Sequence, residues 1–523
     1  MPRNYATGRH AGVLVPLFSI ASDTSWGIGE IADLPRLAAW LRAGGFDVLQ
    51  LLPINEMSDG QKSPYSALSA MAIDPIFIAP GEVEDIAALG GEHALSDDDR
   101  GRLAAARGAS SIQYDVVRAL KTTILRAAFH RFVSAEWDRR TPRAAELKAF
   151  VRDEGWWLDD YVLYRALHAR GQGRSWREWD PALRDRDPAA LAEARRELAR
   201  DILFYQYVQW LAAVQWEHAR AACGDVGLFG DFPFMVSADS ADVWARQDEF
   251  RFDASVGVPP DAFSATGQDW GFPAYRWPEI AAGGYQWLAA RARRSAELYA
   301  GYRVDHLVGF YRTYAREADG SASFMPAHEP AQLRQGEQIL NLFREPGTWI
   351  IAEDLGVVPD FVRESLARLG VPGYKVLRWE RDWNTDGHPF RDPRGYPALS
   401  VATSGTHDTE TLAEWWDSAP YDEKRAATAI PMLRDAGCDP AAAFDDRLRD
   451  AVLRALFASG SSMLLLPIVD VFGWRDRINT PGSVSDENWT WRLPWPVEGL
   501  LTEAEAQERA RFLRGLAEEF RRL

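Results

Sequence analysis

Short apolar runs recur along the chain, and most of them end abruptly at polar or charged residues. Eight of these runs are rich in β-branched and aromatic residues and resemble buried strands. They cover residues 13–20, 46–54, 228–236, 301–310, 349–358, 371–379, 400–409 and 463–473. Helical patterns lie between many of them, and strands that alternate with helices predict a parallel sheet. Eight strands favour a closed (β/α)8 TIM barrel over an open sheet.

Two of the intervening helices have recognisable ends. Residues 33–45 begin with Asp33, a residue type that caps helices, and stop at a pair of glycines. Residues 359–370 begin with a proline and end with a glycine. Both segments are therefore predicted to be helices that connect one barrel strand to the next.

The interval between the second and third apolar runs is too long for a single crossover. Within it, residues 111–132 carry an apolar residue at every fourth position, and further helical sequence follows through 189–221. We therefore predict a largely helical insertion over about residues 75–220, carried on one barrel that spans 1–523.

Composition and charge narrow the possible partners. The chain has 523 residues, of which 47% are hydrophobic and 26% charged, as in an ordinary globular protein. Its formal net charge of −17 argues against a nucleic-acid partner, which binds basic surfaces. The acidity is typical of a soluble surface, and it permits neutral substrates such as sugars.

Cysteine usage and hydropathy indicate a reducing, cytoplasmic location. Cys223 and Cys438 are the only cysteines, and no CxxC pattern suggests a disulfide framework or a zinc site. The N-terminal apolar run contains Pro16 and lacks a small-residue cleavage pattern, so a signal peptide is not expected. No apolar run is long enough to span a bilayer, so no membrane partner is predicted.

Tryptophan is unusually abundant, with 22 residues against 16 tyrosines. Most of these rings are expected to fill core space. Some of them are candidates for flat apolar platforms under pyranose rings, and composition alone leaves both interpretations open.

The residues that carry chemistry concentrate where the predicted strands end, the position at which barrel enzymes place their active sites. They are Asp231, Arg303, Asp305, His306, Glu353, Asp354, His407, Asp408 and Asp470. A carboxylate at the end of a buried strand must be hydrogen-bonded, paired or functional. Any one of them is as consistent with a structural salt bridge as with catalysis, but a series at successive strand ends favours a catalytic site.

Two of these carboxylates fit the chemistry of a retaining glycosidase, which needs one ionised and one protonated carboxyl group. The spacing of Asp305 and Glu353 suits consecutive strands joined by one helix. Arg303 lies two residues before Asp305, so both side chains point to one side of an extended strand, and the cation should keep Asp305 ionised. Glu353 ends an apolar run, which favours a raised pKa and an acid/base role.

His407 and Asp408 follow another strand. A third carboxylate here is suited to hold sugar hydroxyls and to stabilise an oxocarbenium-like transition state. Metal binding by His407 is the alternative, but no HxxxH or equivalent spacing supports it.

With these residues assembled, the chain resembles the amylomaltase or 4-α-glucanotransferase family, glycoside hydrolase family 77 of the α-amylase clan. The resemblance covers nearly the whole length. It is carried by the motifs SWGIGEIADLP, FDVLQLLPI, SPYSALSAMAIDP, GDFPFMVSADSADVW, VGVPPDAFSATGQDWG, YRVDHLVGF, IAEDLG, GTHDTET and RINTPGSVSDENWTWR. YRVDH alone occurs in other α-amylase relatives, whereas its combination with the PPDAFSATGQ and SADSADVW blocks is highly specific.

The resemblance implies Asp305 as nucleophile, Glu353 as general acid/base and Asp408 as transition-state stabiliser. The further residues that it implies contact the sugar or assist the carboxylates: Arg303, His306, His407, Tyr65, Asp231, Trp270 and Asn479. For Tyr65 and Trp270 a packed loop aromatic is the alternative. Gln50 and Asp470 are interpreted as hydrogen-bonding residues at the barrel mouth.

Two positions depart from the family pattern. The usual WGNP is WGFP at 270–273, which places Phe272 where an amide is expected, and THDN is replaced by THDT, which places Thr409 after Asp408. Neither change removes a catalytic carboxylate. They bear on acceptor preference and loop geometry, not on the reaction class.

The sequence thus predicts an enzyme that transfers α-1,4-glucan segments from a maltooligosaccharide or glucan donor to the 4-hydroxyl of glucose or a maltooligosaccharide. A region at about 245–280 is expected to be a loop that covers the substrate and disfavours hydrolysis. No cofactor and no metal are required. The alternatives are an α-amylase-type hydrolase and a catalytically silent glucan-binding protein, and the oligomeric state is left open.

Overall fold

The computed structural model describes residues 5, 7–260, 267–483 and 485–523. In these ranges the chain forms the strands β1 (His10–Leu14), β2 (Val48–Gln50), β3 (Gly227–Phe232), β4 (Phe250–Val258), β5 (Gln268–Tyr275), β6 (Gly301–Val304), β7 (Thr313–Glu317), β8 (Ala322–Met325), β9 (Trp349–Ala352), β10 (Gly373–Val376), β11 (Ser400–Thr403) and β12 (Met463–Pro467). Eight of them close into a parallel barrel in the order β1-β12-β11-β10-β9-β6-β3-β2. The predicted (β/α)8 barrel is confirmed.

Each of the eight predicted apolar runs overlaps one barrel strand, but the first run is displaced. The run was predicted at 13–20, whereas β1 ends at Leu14. Pro16 leads into a 3-10 turn over Leu17–Ser19 instead. Proline cannot donate to a ladder and is excluded from the middle of a strand that is paired on both sides, which explains the early end.

The barrel strands are almost entirely buried, as expected when helices cover the outer face of a parallel sheet. Their inward side chains form a separate apolar cluster that includes Val48, Phe229, Ile351, Tyr374, Val401, Met463 and Leu465. One close approach requires a glycine, because a Cβ on Gly230 of β3 would lie 2.2 Å from the ring of Tyr299. The interior is therefore a packed core, and the open space for a site lies above it.

The described ranges contain the helices α1 (Leu34–Ala43), α2 (Glu84–Ala88), α3 (Asp97–Gly108), α4 (Tyr114–Phe132), α5 (Pro142–Arg170), α6 (Pro181–Arg184), α7 (Pro188–Glu197), α8 (Ala199–Ala222), α9 (Ala241–Ala245), α10 (Trp277–Ala282), α11 (Gln286–Leu298), α12 (Val308–Tyr311), α13 (Glu329–Arg344), α14 (Asp360–Leu369), α15 (Leu412–Ser418), α16 (Tyr421–Thr428), α17 (Pro431–Asp435), α18 (Asp446–Phe457), α19 (Ile468–Phe472) and α20 (Ala504–Glu519). None of these helices has the length and apolarity needed to cross a membrane.

The interval between β2 and β3 contains α2 to α8. Helix α4 packs against α8 through aromatic side chains, with Phe132 and Tyr207 at a ring-centroid distance of 4.8 Å. Helix α8 is joined to the end of α11, which precedes β6, by Trp216, whose Nε1 donates to the carbonyl of Leu298 at 2.9 Å. That residues 75–220 form an insertion subdomain stays a prediction.

A second sheet lies beside the barrel. It is antiparallel, with the order β5-β4-β7-β8. Strands β4 and β5 lie within the region 245–280, the predicted substrate-covering loop region, and they pair from Phe250↔Tyr275 to Val258↔Gln268 with two register shifts. Residues 261–266, which carry part of the PPDAFSATGQ motif, lie outside the described residues.

The opposite end of the barrel is held by Arg522, which is fully buried. Its guanidinium donates to the carbonyls of His10, Phe457, Ser459 and Ser461 at 2.8 to 3.1 Å. One side chain from the end of the chain thereby satisfies carbonyl groups at the start of β1 and in the segment that leads into β12.

Candidate active site

Asp231, Arg303 and Asp305 form an ionic cluster at the carboxyl ends of β3 and β6. The strand register pairs Asp231 directly with Arg303. Nη1 of Arg303 lies 2.7 and 2.9 Å from the two Asp231 oxygens and 3.0 Å from Oδ1 of Asp305. Burial lowers the pKa of the guanidinium, but Asp231, Tyr65 and Asp305 outweigh it and raise that pKa well above its ordinary value. A permanent cation therefore sits between two carboxylates, and the Asp305 side chain remains 23% exposed.

Glu353 follows β9 directly and is held by backbone donors. The N–H of His306 donates to its Oε2 at 3.0 Å, and the N–H of Leu355 donates to its Oε1 at 2.9 Å. Burial raises the pKa of this carboxyl to about 7, with Asp305 adding to the rise and Arg303 opposing it. Near neutral pH the group is therefore divided between its acid and base forms.

Asp408 lies in the opposite electrostatic environment. Its Oδ2 is 3.1 Å from Nε2 of His407, and its Oδ1 accepts from Nδ2 of Asn479 at 2.6 Å. Burial would raise the pKa of Asp408, yet His407, Asn479 and Arg303 together lower it to about 2. Asp408 is therefore a fixed negative charge, and 39% of its side chain is exposed to a ligand.

Tyr65 connects the Arg303 cluster with His407. Its hydroxyl donates to Oδ2 of Asp231 at 2.8 Å and lies 3.0 Å from Nε2 of His407. The two rings stack with centroids 5.5 Å apart, and Trp489 packs against both at 5.8 Å. This arrangement fixes the orientation of His407.

His306 and Trp270 lie on the other side of the mouth. His306 has a positive φ of 41°, and its ring packs edge to face against Trp270 at 4.8 Å and Phe234 at 5.4 Å. Burial lowers the pKa of His306 to about 4, despite the opposing charge of Asp305. The imidazole is therefore neutral at pH 7, and Trp270 brings β5 to the edge of the site.

All ten predicted site residues lie at this end of the barrel. The contacts described above join them into two groups, which meet where His306 follows Asp305 in the chain. Their roles in catalysis stay predictions. Asp470 is occupied by Ser404 and Leu412, which donate to its two oxygens at 2.6 Å. Gln50 donates to the Tyr374 hydroxyl at 3.3 Å. Both contacts agree with the hydrogen-bonding role predicted for Gln50 and Asp470.

The two departures from the family pattern have local contacts. The Thr409 hydroxyl accepts from the N–H of Thr406 at 3.0 Å and donates to its carbonyl at 3.1 Å, which closes the turn that presents Asp408. Phe272 is half-buried against the core. Thr409 therefore stabilises a backbone turn and leaves the Asp408 carboxylate free for other contacts.

Sequence reasoning missed three features of the site. It paired Arg303 with Asp305 but not with Asp231. A signal was present, because Asp231 in GDFP and Arg303 in YRVDH both lie near the ends of predicted strands. It also missed the packing of Trp489 and Phe234 on the site histidines. Trp489 lies far along the chain in a segment without regular structure, so no periodic pattern marks it.

This arrangement places two carboxyl groups of opposite character beside one another. Asp305 contacts a permanent cation, and Glu353 titrates near neutral pH, the combination that a nucleophile and a general acid/base require in glycosidic bond cleavage. Asp408 adds a fixed negative charge that can stabilise a positively charged sugar ring.

Comparisons with known proteins agree with this chemistry. A family model described as 4-alpha-glucanotransferase matches residues 15–498. The 4-alpha-glucanotransferase of Chlamydia pneumoniae is 31% identical over 496 residues, covering 94% of this chain and 92% of the relative. The Thermus thermophilus 4-alpha-glucanotransferase is 32% identical over 507 residues, covering 92% and 96%.

A solved structure has the same overall fold. The amylomaltase from Streptococcus agalactiae in complex with acarbose superimposes with a TM-score of 0.81 at 27% identity, covering 98% of this chain and 99% of that one. Barrel, site and comparisons together assign the chain to the 4-alpha-glucanotransferase family.

Proposed function

We propose that the enzyme transfers α-1,4-glucan segments by double displacement at Asp305 and Glu353. In the first step Glu353 protonates the glycosidic oxygen while an Asp305 oxygen attacks the anomeric carbon. The bond to the leaving sugar breaks, and a covalent β-glucosyl-enzyme remains. The Arg303 cation supports this assignment because its Nη1 lies 3.0 Å from Oδ1 of the attacking carboxyl group.

In the second step the ionised Glu353 removes the proton from the 4-hydroxyl of an acceptor. The acceptor oxygen attacks the anomeric carbon and displaces Asp305, which restores an α-1,4 linkage. Asp408, with a pKa of about 2, stays negative through both steps and stabilises the oxocarbenium-like transition states. One titrating group thus serves as acid and then as base. The observation that carries this proposal is the placement of Glu353, held by the N–H groups of His306 and Leu355 at the end of β9, beside the strand whose Arg303 contacts Asp305. Burial, which raises the pKa of Glu353 to about 7, agrees with it.

Transfer exceeds hydrolysis when an acceptor sugar binds well and water is excluded. The antiparallel sheet supports this part of the proposal, since the end of β4 and the following Pro259 line a cavity that also contains Glu353. We propose that the end of β4 and Pro259 cover the acceptor side of the site. The donors are maltooligosaccharides and α-1,4-glucans, and the acceptors are glucose and maltooligosaccharides.

The product distribution from maltotriose tests the proposal. Pure enzyme should yield glucose and a ladder of longer maltooligosaccharides, and Asp305→Asn should abolish both. The neighbouring carboxylate variant Asp354→Asn serves as a control, because Asp354 accepts from the backbone N–H of Tyr374 at 2.8 Å and pairs with Arg363 at 3.8 Å rather than with Arg303. Glucose and maltose without longer chains would identify a hydrolase instead. If the wild type binds glucan but forms no product, and Asp305→Asn binds glucan equally well, the protein is a silent glucan-binding protein.

A further inference from the structure

Arg312 carries a positive charge that the proposed mechanism does not use. It lies between α12 and β7, and its guanidinium carbon Cζ is 4.1 Å from the ring centroid of Phe324 on β8. Its Nε is buried without a hydrogen-bond partner, and no salt bridge to Arg312 occurs in the part of the chain that the structure describes. Burial lowers the pKa of this guanidinium. A half-buried cation without a counter-ion is costly, so its donors are available for a ligand.

Arg312 faces a cavity of about 160 Å³ that opens onto the catalytic acid. The cavity is lined by Arg312, Tyr314, Phe324, Val308, His306 and Glu353, together with the end of β4 and residues 355–357. Among the described residues, Asp305, Arg303 and Asp408 do not line it. The cavity therefore reaches Glu353 on a side that does not include the proposed nucleophile.

That side is the acceptor side of the reaction. A general acid/base contacts the oxygen that leaves with one sugar and arrives with the next, whereas the nucleophile contacts the sugar that is transferred. A cavity that contains Glu353 but excludes Asp305 is consequently the space for the leaving or accepting sugar.

We propose that Arg312 is a specificity-determining residue for the acceptor, and this inference rests on the proposed function. Its N–H groups donate to hydroxyl oxygens of a neutral acceptor sugar, while Phe324 and Tyr314 provide the apolar wall. These two residues are paired across β7 and β8, and their ring centroids lie 5.1 Å apart. Phe324 also supports the guanidinium from below, which orients its planar fork of donors.

The test uses α-maltotriosyl fluoride as donor, because fluoride leaves without occupying the sugar-binding part of the acceptor side. Arg312→Met keeps an apolar stem over Phe324 and removes the donors. Its KM for glucose and for maltose should rise by about 10- to 100-fold, the effect of losing hydrogen bonds from a charged group. The rate of fluoride release without acceptor should change less than about twofold, since the donor side is unaltered. Arg312→Lys should recover part of the acceptor affinity.

Arg334→Met is the matched control. Arg334 lies on α13 and lines a separate groove on the other side of Phe324, so the same loss of charge there should leave the acceptor KM unaltered. An unaltered acceptor KM in Arg312→Met would overturn the inference. An equal slowing of fluoride release would also overturn it, by placing Arg312 on the donor side.

Two further outcomes separate the possible errors. Suppose that Arg312→Met loses transfer to glucose 6-phosphate but retains the wild-type KM for glucose and maltose. This result would overturn the inference in favour of an anionic acceptor. A wild-type enzyme that releases fluoride but never elongates glucose or maltose would overturn the proposed function, and the inference with it.

Discussion

Replacing Glu353, the proposed general acid, should slow cleavage most for donors whose leaving group requires protonation. The pKa of about 7 means that about half of the enzyme is protonated at pH 7 and about a tenth at pH 8. With maltotriose, kcat/KM of the wild type should therefore fall about fivefold from pH 7 to pH 8 and about tenfold for each pH unit above that. Glu353→Ala should lose about 10²- to 10⁴-fold with maltotriose, the usual contribution of a positioned general acid.

The same variant should cleave α-maltotriosyl fluoride in its first half-reaction at a rate within about tenfold of the wild type, because fluoride leaves without full protonation. The assay is a rapid-quench measurement of the fluoride burst, which isolates formation of the glycosyl-enzyme from its slow breakdown. For this donor the alkaline decline above pH 7 should also disappear, since no proton from Glu353 is required.

Asp354→Asn provides the comparison, because it removes a neighbouring carboxyl group but leaves the acid in place. It should retain the alkaline decline with maltotriose. Equal losses with both donors in Glu353→Ala would refute the assignment of Glu353 as acid. If kcat/KM with maltotriose still falls above pH 7 in Glu353→Ala, a group other than Glu353 causes the decline.

Three further predictions follow from single contacts. Asn479→Ala removes a donor to Asp408, so the pKa of Asp408 should rise from about 2 toward its ordinary value, and kcat/KM should fall more at pH 4 than at pH 6 in a pH–rate profile. Arg522→Met leaves buried carbonyls without donors and should cost about 3 kcal/mol, seen by calorimetry as a fall in Tm of about 3 °C with kcat unaltered. Trp270→Ala removes the ring that packs on His306 and should raise KM for maltotriose about tenfold, whereas Trp270→Phe should retain most of the affinity.

The barrel was predictable because its strands are buried on both faces and carry their chemistry at one end. The proximity of the polar residues that follow β6, β9 and β11 could be predicted without knowledge of the packing, since parallel strands in a barrel bring their carboxyl ends together. The exception was β1, whose end is set by Pro16. There the apolar run continued into a 3-10 turn that is equally buried, so hydrophobicity alone could not separate strand from turn.

The antiparallel sheet was not predictable in the same way. Strands β4 and β5 contain exposed and half-buried residues on both faces, and their pairing is interrupted by register shifts. The second neighbour of β4 is β7, which follows only after β5, three helices and a barrel strand. Such non-local pairing leaves little trace in local periodicity. The position of Arg312 over Phe324 of that sheet was equally hidden.

The pairing of β1 with β12 has a consequence for synthesis of the protein. The register joins His10 to Met463 and Leu14 to Pro467, so nearly the whole chain must emerge from the ribosome before the barrel can close. Until then both β1 and β11 remain open edges of the nascent sheet, and open edges recruit strands from other chains. Nascent chains should therefore be most prone to aggregate late in translation, when seven barrel strands are complete and the eighth is still missing. Slow translation or chaperone binding at that stage would determine the yield of active enzyme.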